Sequence, residues 1–195
     1  MKLKLNCEVD YYSNFLETSE ANELFKELTS LVEDSTFRPQ IESGDSVPVN
    51  FGKIMFLDQN LLDENKFPEQ QWGPTMLWTK KMESVKNQIE TLTNQQFQVC
   101  VLIHYPDGNS GVDFHSDFVA FGDTSVIPSI SLGEERTFIF REIESGIELE
   151  TTLENGSLVI MGEHCQQRYE HSLPTNPKYK NPRINLTFRK YGFSD

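Results

Sequence analysis

The stretch Arg183-Ile184-Asn185-Leu186-Thr187-Phe188-Arg189 alternates without exception. On an extended chain, side chains point to opposite faces in turn. Ile184, Leu186 and Phe188 therefore face one way, and Arg183, Asn185, Thr187 and Arg189 the other. The apolar face predicts a strand laid against a core. The polar face has two readings: it is solvated, or it lines an interior in which two guanidiniums need compensation. Two arginines with Asn and Thr between them suit a small dicarboxylate, held by bidentate charge-assisted hydrogen bonds. Upstream, five more segments share the strand character: QVCVLIHY (98–105), VIPSISL (126–132), RTFIFRE (136–142), IELETTL (147–153) and GSLVIMG (156–162). Each is short and rich in β-branched or aromatic residues, and turn clusters such as PDGNSG (106–111) and LENGS (153–157) separate them. Six strands with no helix between them predict a sandwich or barrel of antiparallel strands.

Ahead of this β region, residues 1–95 read as a mixed α/β lobe. Ser19 followed by ANELFKELTSLV predicts an N-capped helix with Leu24, Phe25, Leu28, Leu31 and Val32 on one face. Residues 34–74 are rich in Pro, Gly, Asp, Asn and Ser and read as short strands and loops. A second helix fits about 75–94, where Trp78, Met82, Val85, Ile89 and Leu92 form a core stripe at three- and four-residue steps. The fold expected is thus mainly β with an α/β N-terminal lobe, divided at 95/96.

The chain has 195 residues, room for one domain or a core with a small appended lobe. No apolar run is long enough to cross a bilayer, and MKLKLNCEVDYY has no apolar segment of the signal-peptide kind. A cytoplasmic monomer with no membrane partner is expected. Cys7, Cys100 and Cys165 are widely spaced and odd in number, which argues against a disulfide framework or a zinc knuckle. The net charge of −13 is the wrong sign for binding nucleic acid through a general field. The charges are unevenly placed, however. Residues 101–163 hold only Arg136 and Arg141 as lysines or arginines, whereas Arg168, Lys178, Lys180, Arg183, Arg189 and Lys190 crowd the C-terminal segment. An anionic ligand is expected there.

His115-Ser116-Asp117 places an imidazole and a carboxylate on the same side of an extended chain, where both can reach one metal ion. His171, beyond the strand 156–162, is the candidate third ligand. Two histidines and one carboxylate on one face of an ion leave three positions open, the facial triad of non-haem Fe(II) oxygenases. The competing reading of an isolated HxD is surface polarity.

From about residue 97 to 192, half of the chain, the sequence resembles the AlkB family of Fe(II)/2-oxoglutarate dioxygenases. The matching pieces run in order: Tyr105-Pro106-Asp107-Gly108, His115-Ser116-Asp117, SISLG (129–133), RTFIFR (136–141), GSLVIMG (156–162), His171 and RINLTFR (183–189). The last is the most specific. The resemblance implies a double-stranded β-helix, or jelly roll. It implies iron on His115, Asp117 and His171 as the catalytic centre, and 2-oxoglutarate against Tyr105, Arg183, Asn185, Thr187 and Arg189, with O₂ as the second cosubstrate. Family members oxidise an alkyl group on a nucleobase, whose hydroxylated form loses an aldehyde. The partner implied is alkylated nucleic acid, single- or double-stranded. A 2-oxoglutarate hydroxylase acting on a protein side chain or small molecule is the alternative, and a non-catalytic β-sandwich binding module the third reading.

Two departures from the family pattern bear on function. Ile103 stands where the family has an Asn that touches 2-oxoglutarate. Phe118-Val119-Ala120-Phe121 follows Asp117, where repair enzymes carry acids that read the base. Phe118 is expected to form a substrate-side wall, and Arg136 to face substrate. The N-terminal lobe corresponds to the family's recognition lid. Phe51, Phe56 and Trp72 are its stacking candidates, with Trp78 fitting the helix core better. Lys80, Lys81 and Lys86 read as a solvated helix face, and His104 and His164 as structural histidines.

Overall fold

The computed structural model describes residues 1–33, 50–117, 119 and 121–192. In chain order the elements are β1 (Val9–Tyr12), α1 (Thr18–Glu33), β2 (Gly52–Leu57), α2 (Gln59–Asp63), α3 (Glu69–Trp72), β3 (Thr75–Leu77), α4 (Lys80–Thr93), β4 (Val99–Tyr105), β5 (Val112–His115), β6 (Ile127–Gly133), β7 (Arg136–Glu142), β8 (Glu148–Leu153), β9 (Ser157–Met161), α5 (Cys165–Arg168), β10 (Tyr169–Leu173) and β11 (Arg183–Arg189).

The strands form two sheets, β1-β9-β6-β11-β4-β2-β3 and β5-β10-β7-β8. Strands β4 to β11 go four to each sheet, all with antiparallel neighbours. This is the double-stranded β-helix. All six strands expected from the sequence are present. Within the β4 to β11 region the two that were not expected, β5 and β10, carry metal-ligand candidates. Segments on both sides of the 95/96 boundary share the larger sheet, since β1 pairs with β9 and β2 with β4.

The alternation of β11 sorts its two faces. Ile184, Leu186 and Phe188 are fully buried beneath α1 and α4, packed with Leu24, Leu28, Met82, Val85 and Ile89. The other face looks between the sheets. A second apolar cluster, including Ile127, Phe140, Leu153 and Val159, closes one end of that space and draws on both sheets. No described helix is long and apolar enough to cross a membrane.

Some local expectations need correction. Helix α1 begins at Thr18, so Ser19 lies in its first turn and is not the cap. Residues 75–77 are a strand parallel to β2, because Met55, Phe56 and Leu57 offer an edge there. Helix α4 starts later, at Lys80, where the Thr79 hydroxyl accepts a hydrogen bond from the Met82 N–H at 3.3 Å. Trp78 therefore precedes the helix and stacks between Phe56 and Phe188, with ring centroids at 6.2 and 6.1 Å. Leu92 is 43% exposed and off the core face. Lys81 and Lys86 are paired with Glu23 and Asp58 at 2.6 and 2.7 Å. Part of the 34–74 segment lies outside the described residues; the rest holds β2, α2, α3 and β3.

Candidate active site

His115 and His171 are directly opposite one another on the antiparallel pair β5 and β10. Cross-strand neighbours of this kind bring side chains on one face together, and the two imidazole centroids are 4.4 Å apart. Asp117, two residues past the end of β5, is pinned by two contacts of its own segment. Its N–H donates to Gln166 Oε1 at 2.7 Å, and the neighbouring Ser116 hydroxyl donates to the Tyr169 carbonyl at 3.1 Å. One ligand atom each from His115, Asp117 and His171 lies within 4.8 Å of the others, the only such cluster found among the described residues.

These residues fit a divalent metal in protonation as well as position. Burial holds the His171 imidazole down to about 4, against an upward pull from Asp117, so the ring is neutral at pH 7 as a ligand must be. The 4.0 Å approach of His171 Nε2 to Asp117 Oδ2 is therefore two ligands facing a common point and not an ion pair. Asp117 Oδ2 is buried and makes no hydrogen bond, which a cation would remedy. His115 Nδ1 lies 2.8 Å from the Asp113 carbonyl, a contact that fixes the tautomer with Nε2 left to bind metal.

The triad opens onto a cavity of about 350 Å³ between the sheets. The opposite wall is the polar face of β11. Arg183 there is 1% exposed and is paired with Tyr105 across the strands. Its guanidinium donates to Ser131 Oγ at 2.8 Å and Asn185 Oδ1 at 3.2 Å, but no carboxylate lies within ion-pair reach among the described residues. Burial pulls Arg183 down to about 10, which marks how poorly its charge is compensated. Asn185 donates to Thr187 Oγ1 at 2.7 Å and accepts from the Ser129 hydroxyl at 3.0 Å. Arg189 reaches Asp117 at 3.4 Å. Ile103 sits directly opposite Asn185 and gives this wall an apolar patch.

Comparison with known proteins decides the family. A profile described as the 2OG-Fe(II) oxygenase superfamily matches residues 8–189. The chain belongs to that superfamily. It is 32% identical to the bovine "DNA oxidative demethylase ALKBH2" over 95% of this chain and 69% of that protein. It is 29% identical to the mouse "Alpha-ketoglutarate-dependent dioxygenase alkB homolog 3" over 91% of this chain and 64% of that one. The chain thus spans about two thirds of the length of these relatives. The structure of OsALKBH1 superposes with a TM-score of 0.67 at 15% identity, covering 96% of this chain and 100% of the other. A Pseudomonas putida prolyl-4-hydroxylase follows at 0.59 and 16%, over 94% and 93%. At those identities the structures attest the fold. The oxygenase is AlkB-like, with iron as its metal, 2-oxoglutarate and O₂ as its cosubstrates, and the HxD…H set as its candidate iron site.

Other sequence-derived site residues fall differently. Arg136 does not face the cavity. It is 1% exposed and donates to three backbone carbonyls, Ser110 at 2.9 Å, Pro174 at 2.8 Å and Asp107 at 3.3 Å, which clamps the loop after β4 to the segment after β10. Phe118 lies outside the described residues. Phe56 is core; Trp72 does line the cavity, packed on Phe121 at 5.3 Å. His104 and His164 line no part of it. Neither do Arg168, Lys178 or Lys180. Arg168 lines a separate surface groove, and the Lys178 ammonium lies over the Tyr179 ring at 4.7 Å. Sequence reasoning missed Lys53, which lines the cavity from β2 opposite Ile103. The apolar run Ile54-Met55-Phe56-Leu57 that follows Lys53 was the available strand signal, hidden in a segment read as short strands and loops.

Proposed function

We propose that this oxygenase removes alkyl groups from nucleobases in DNA or RNA by oxidation. The carrying observation is that the metal triad and an aromatic pair, Trp72 and Phe121, share one cavity large enough for a flat ring. The bovine relative is a DNA oxidative demethylase, which supports it. In this reading Arg183 and the Tyr105 hydroxyl take the distal carboxylate of 2-oxoglutarate, and Asn185 and Thr187 line its chain. Arg189 steadies Asp117 beside the keto acid end. Iron with 2-oxoglutarate and O₂ supplies the oxidising chemistry: one oxygen atom enters the alkyl group, the other leaves in succinate, and CO₂ is released. The hydroxyalkyl product then loses an aldehyde and restores the base. The chain's own part is positioning and the exclusion of water by the aromatic mouth.

A second reading has a specific observation behind it. None of Arg136, Arg168, Lys178 and Lys180 lines the cavity, and the net charge is −13, so no basic track leads to the metal from those residues. This favours oxidation of a protein side chain or small molecule. The test is anaerobic loading with Fe(II) and 2-oxoglutarate, then O₂, with succinate measured in the presence and absence of methylated oligonucleotides. Succinate formed much faster with the methylated strand supports the first reading. Equal, slow formation in every case sinks it and turns to the second.

A further inference from the structure

We infer that Cys7 and Cys165 are a modification site, a thiol pair that a hydroperoxide converts into one reversible disulfide. The site lies outside the cavity and takes no part in the oxygenase chemistry.

The two cysteines are distant in sequence and are brought together by the larger sheet. Cys7 precedes β1 and Cys165 opens α5, and Val9 on β1 lies opposite Met161 on β9. Three hydrogen bonds then hold residues 6–8 against residues 162–169. The Gly162 N–H donates to the Glu8 carbonyl at 2.7 Å. The Arg168 guanidinium donates to the Asn6 carbonyl at 2.7 Å, and the Asn6 N–H to the Tyr169 hydroxyl at 3.0 Å. The sulfurs meet between these ties, where the Cys165 thiol donates a hydrogen bond to the Cys7 sulfur. Both side chains belong to one apolar cluster with Val9, Met161 and Tyr169. Neither is in a disulfide. Cys165 is 1% exposed and Cys7 is half-buried, so a small oxidant reaches Cys7 first and Cys165 lies behind it. Cys100 is apart from the pair, fully buried in the cluster beneath α1 and α4.

The thiolate is the reactive form, and it is favoured at the reachable sulfur. The hydrogen bond from Cys165 holds the Cys7 thiol below its ordinary value, and the Arg168 charge adds to this against burial. The same hydrogen bond and burial push Cys165 up, and burial alone pushes Cys100 up. The Cys7 thiolate attacks one oxygen of the hydroperoxide. The O–O bond breaks, Cys7 becomes a sulfenic acid, and the other oxygen takes a proton and leaves as an alcohol or water. The Cys165 sulfur then attacks Cys7. The S–S bond forms, the S–O bond breaks, and the hydroxide takes the Cys165 proton and leaves as water. Each sulfur gives up one electron, and the hydroperoxide accepts both. An added dithiol reverses the change. Cys165 is followed by Gln166, whose Oε1 receives the Asp117 N–H at 2.7 Å. The disulfide thus ties the N-terminal segment to the turn that supports a metal ligand.

The test uses the full chain with Mn(II) in place of iron, so that peroxide meets no Fe(II). The reduced protein is treated with hydrogen peroxide in small molar excess. Free thiols are then counted in denaturant, and peptides are mapped by mass spectrometry without reduction. The wild type should keep one of its three thiols, that of Cys100, and yield a peptide joining Cys7 to Cys165. Dithiothreitol should restore all three. The oxidised form should melt about 5 °C or more above the reduced one, because the bond restrains the unfolded chain between distant positions. Cys7→Ser should keep both remaining thiols. Cys165→Ala should stop at the Cys7 sulfenic acid, captured as a dimedone adduct. Survival of all three wild-type thiols would overturn the inference. So would a cross-link through Cys100 or between two chains, or an oxidised form that melts below the reduced one. Should Cys165→Ala fail to fold, the wild-type peptide map and Cys7→Ser decide the question by themselves.

Discussion

The two walls of the cavity are opposites in charge and in construction. The wall from the larger sheet carries Arg183 and Arg189 on β11 and Lys53 on β2, set among amide and hydroxyl groups. The wall from the smaller sheet carries two histidines, one of them held neutral by burial, with Phe138 stacked 5.4 Å from His171. One wall is organised for an anion and the other for a cation, and Asp117 is where they meet, with Arg189 on one oxygen and the histidines by the other. Neither a metal nor a dicarboxylate would be well held by one sheet alone. The jelly-roll crossover brings two incompatible electrostatic environments within a few ångströms without either having to tolerate the other's buried charge.

The largest expected effects come from breaking the metal-ligand set. His171→Ala or Asp117→Ala should abolish succinate formation, a loss of about a thousandfold or more, together with Fe(II) binding measured anaerobically. Full activity in either variant would mean the metal lies elsewhere. Breaking the cationic wall should look different. Arg183→Ala removes an uncompensated buried guanidinium and, in the proposed reading, the donor for the distal carboxylate of 2-oxoglutarate. The KM for 2-oxoglutarate should rise about a hundredfold while kcat at saturation changes little. A fall in kcat with unchanged KM would show that Arg183 does not hold the cosubstrate.

The two walls also differed in how well the sequence exposed them. Strand β11 could be read because its alternation is complete and its polar face is conspicuous. Strands β5 and β10 could not. VDFH and YEHSL are four and five residues long, interrupted by charge, and they become strands only by pairing with each other and with β7. The HxD spacing located the metal ligands without revealing that His115 and His171 face each other across a ladder. Lys53 was hidden because β2 lies in a Gly- and Asp-rich stretch and gains its identity as a strand from the edge of β4. Arg136 misled for a related reason. Alternation shows which way a guanidinium points, but the carbonyls that occupy this one come from loops at Asp107, Ser110 and Pro174 that no local pattern places near it.

That clamp makes the third prediction. Arg136→Ala would leave three carbonyls without their donor in the loops that follow Tyr105 and His171. A loss of about 3 kcal/mol is expected. For a domain of this size it corresponds to a fall in melting temperature of about 10 °C. Arg136→Lys should recover little of it, since one ammonium cannot span the same three acceptors. A normal melting temperature with a raised substrate KM would return Arg136 to the substrate side.

The smallest effect concerns a second tie near the site, between the loop after Asp117 and the end of β11. The Lys190 ammonium donates to Asp123 Oδ2 at 2.7 Å, and the Ser125 hydroxyl donates to the same oxygen at 2.6 Å. Burial alone would raise the Asp123 carboxyl, but these hydrogen bonds outweigh it and hold the group at about 2. A carboxyl depressed in the folded state stabilises above its unfolded value and loses that contribution as pH falls through the folded one, here between about pH 4 and 2. Asp123 is half-buried, with 27% of its side chain exposed, and solvent screening there limits the effect to about 1 kcal/mol. Asp123→Asn should therefore flatten the acid limb of the stability curve slightly and leave stability at pH 7 lower by less than about 1 kcal/mol. It should also leave the 2-oxoglutarate KM within about twofold, because the tie lies beyond the cavity and Arg189 keeps its own contact with Asp117. A larger rise in KM would mean that the approach of the two walls depends on this outer contact as well as on Arg189.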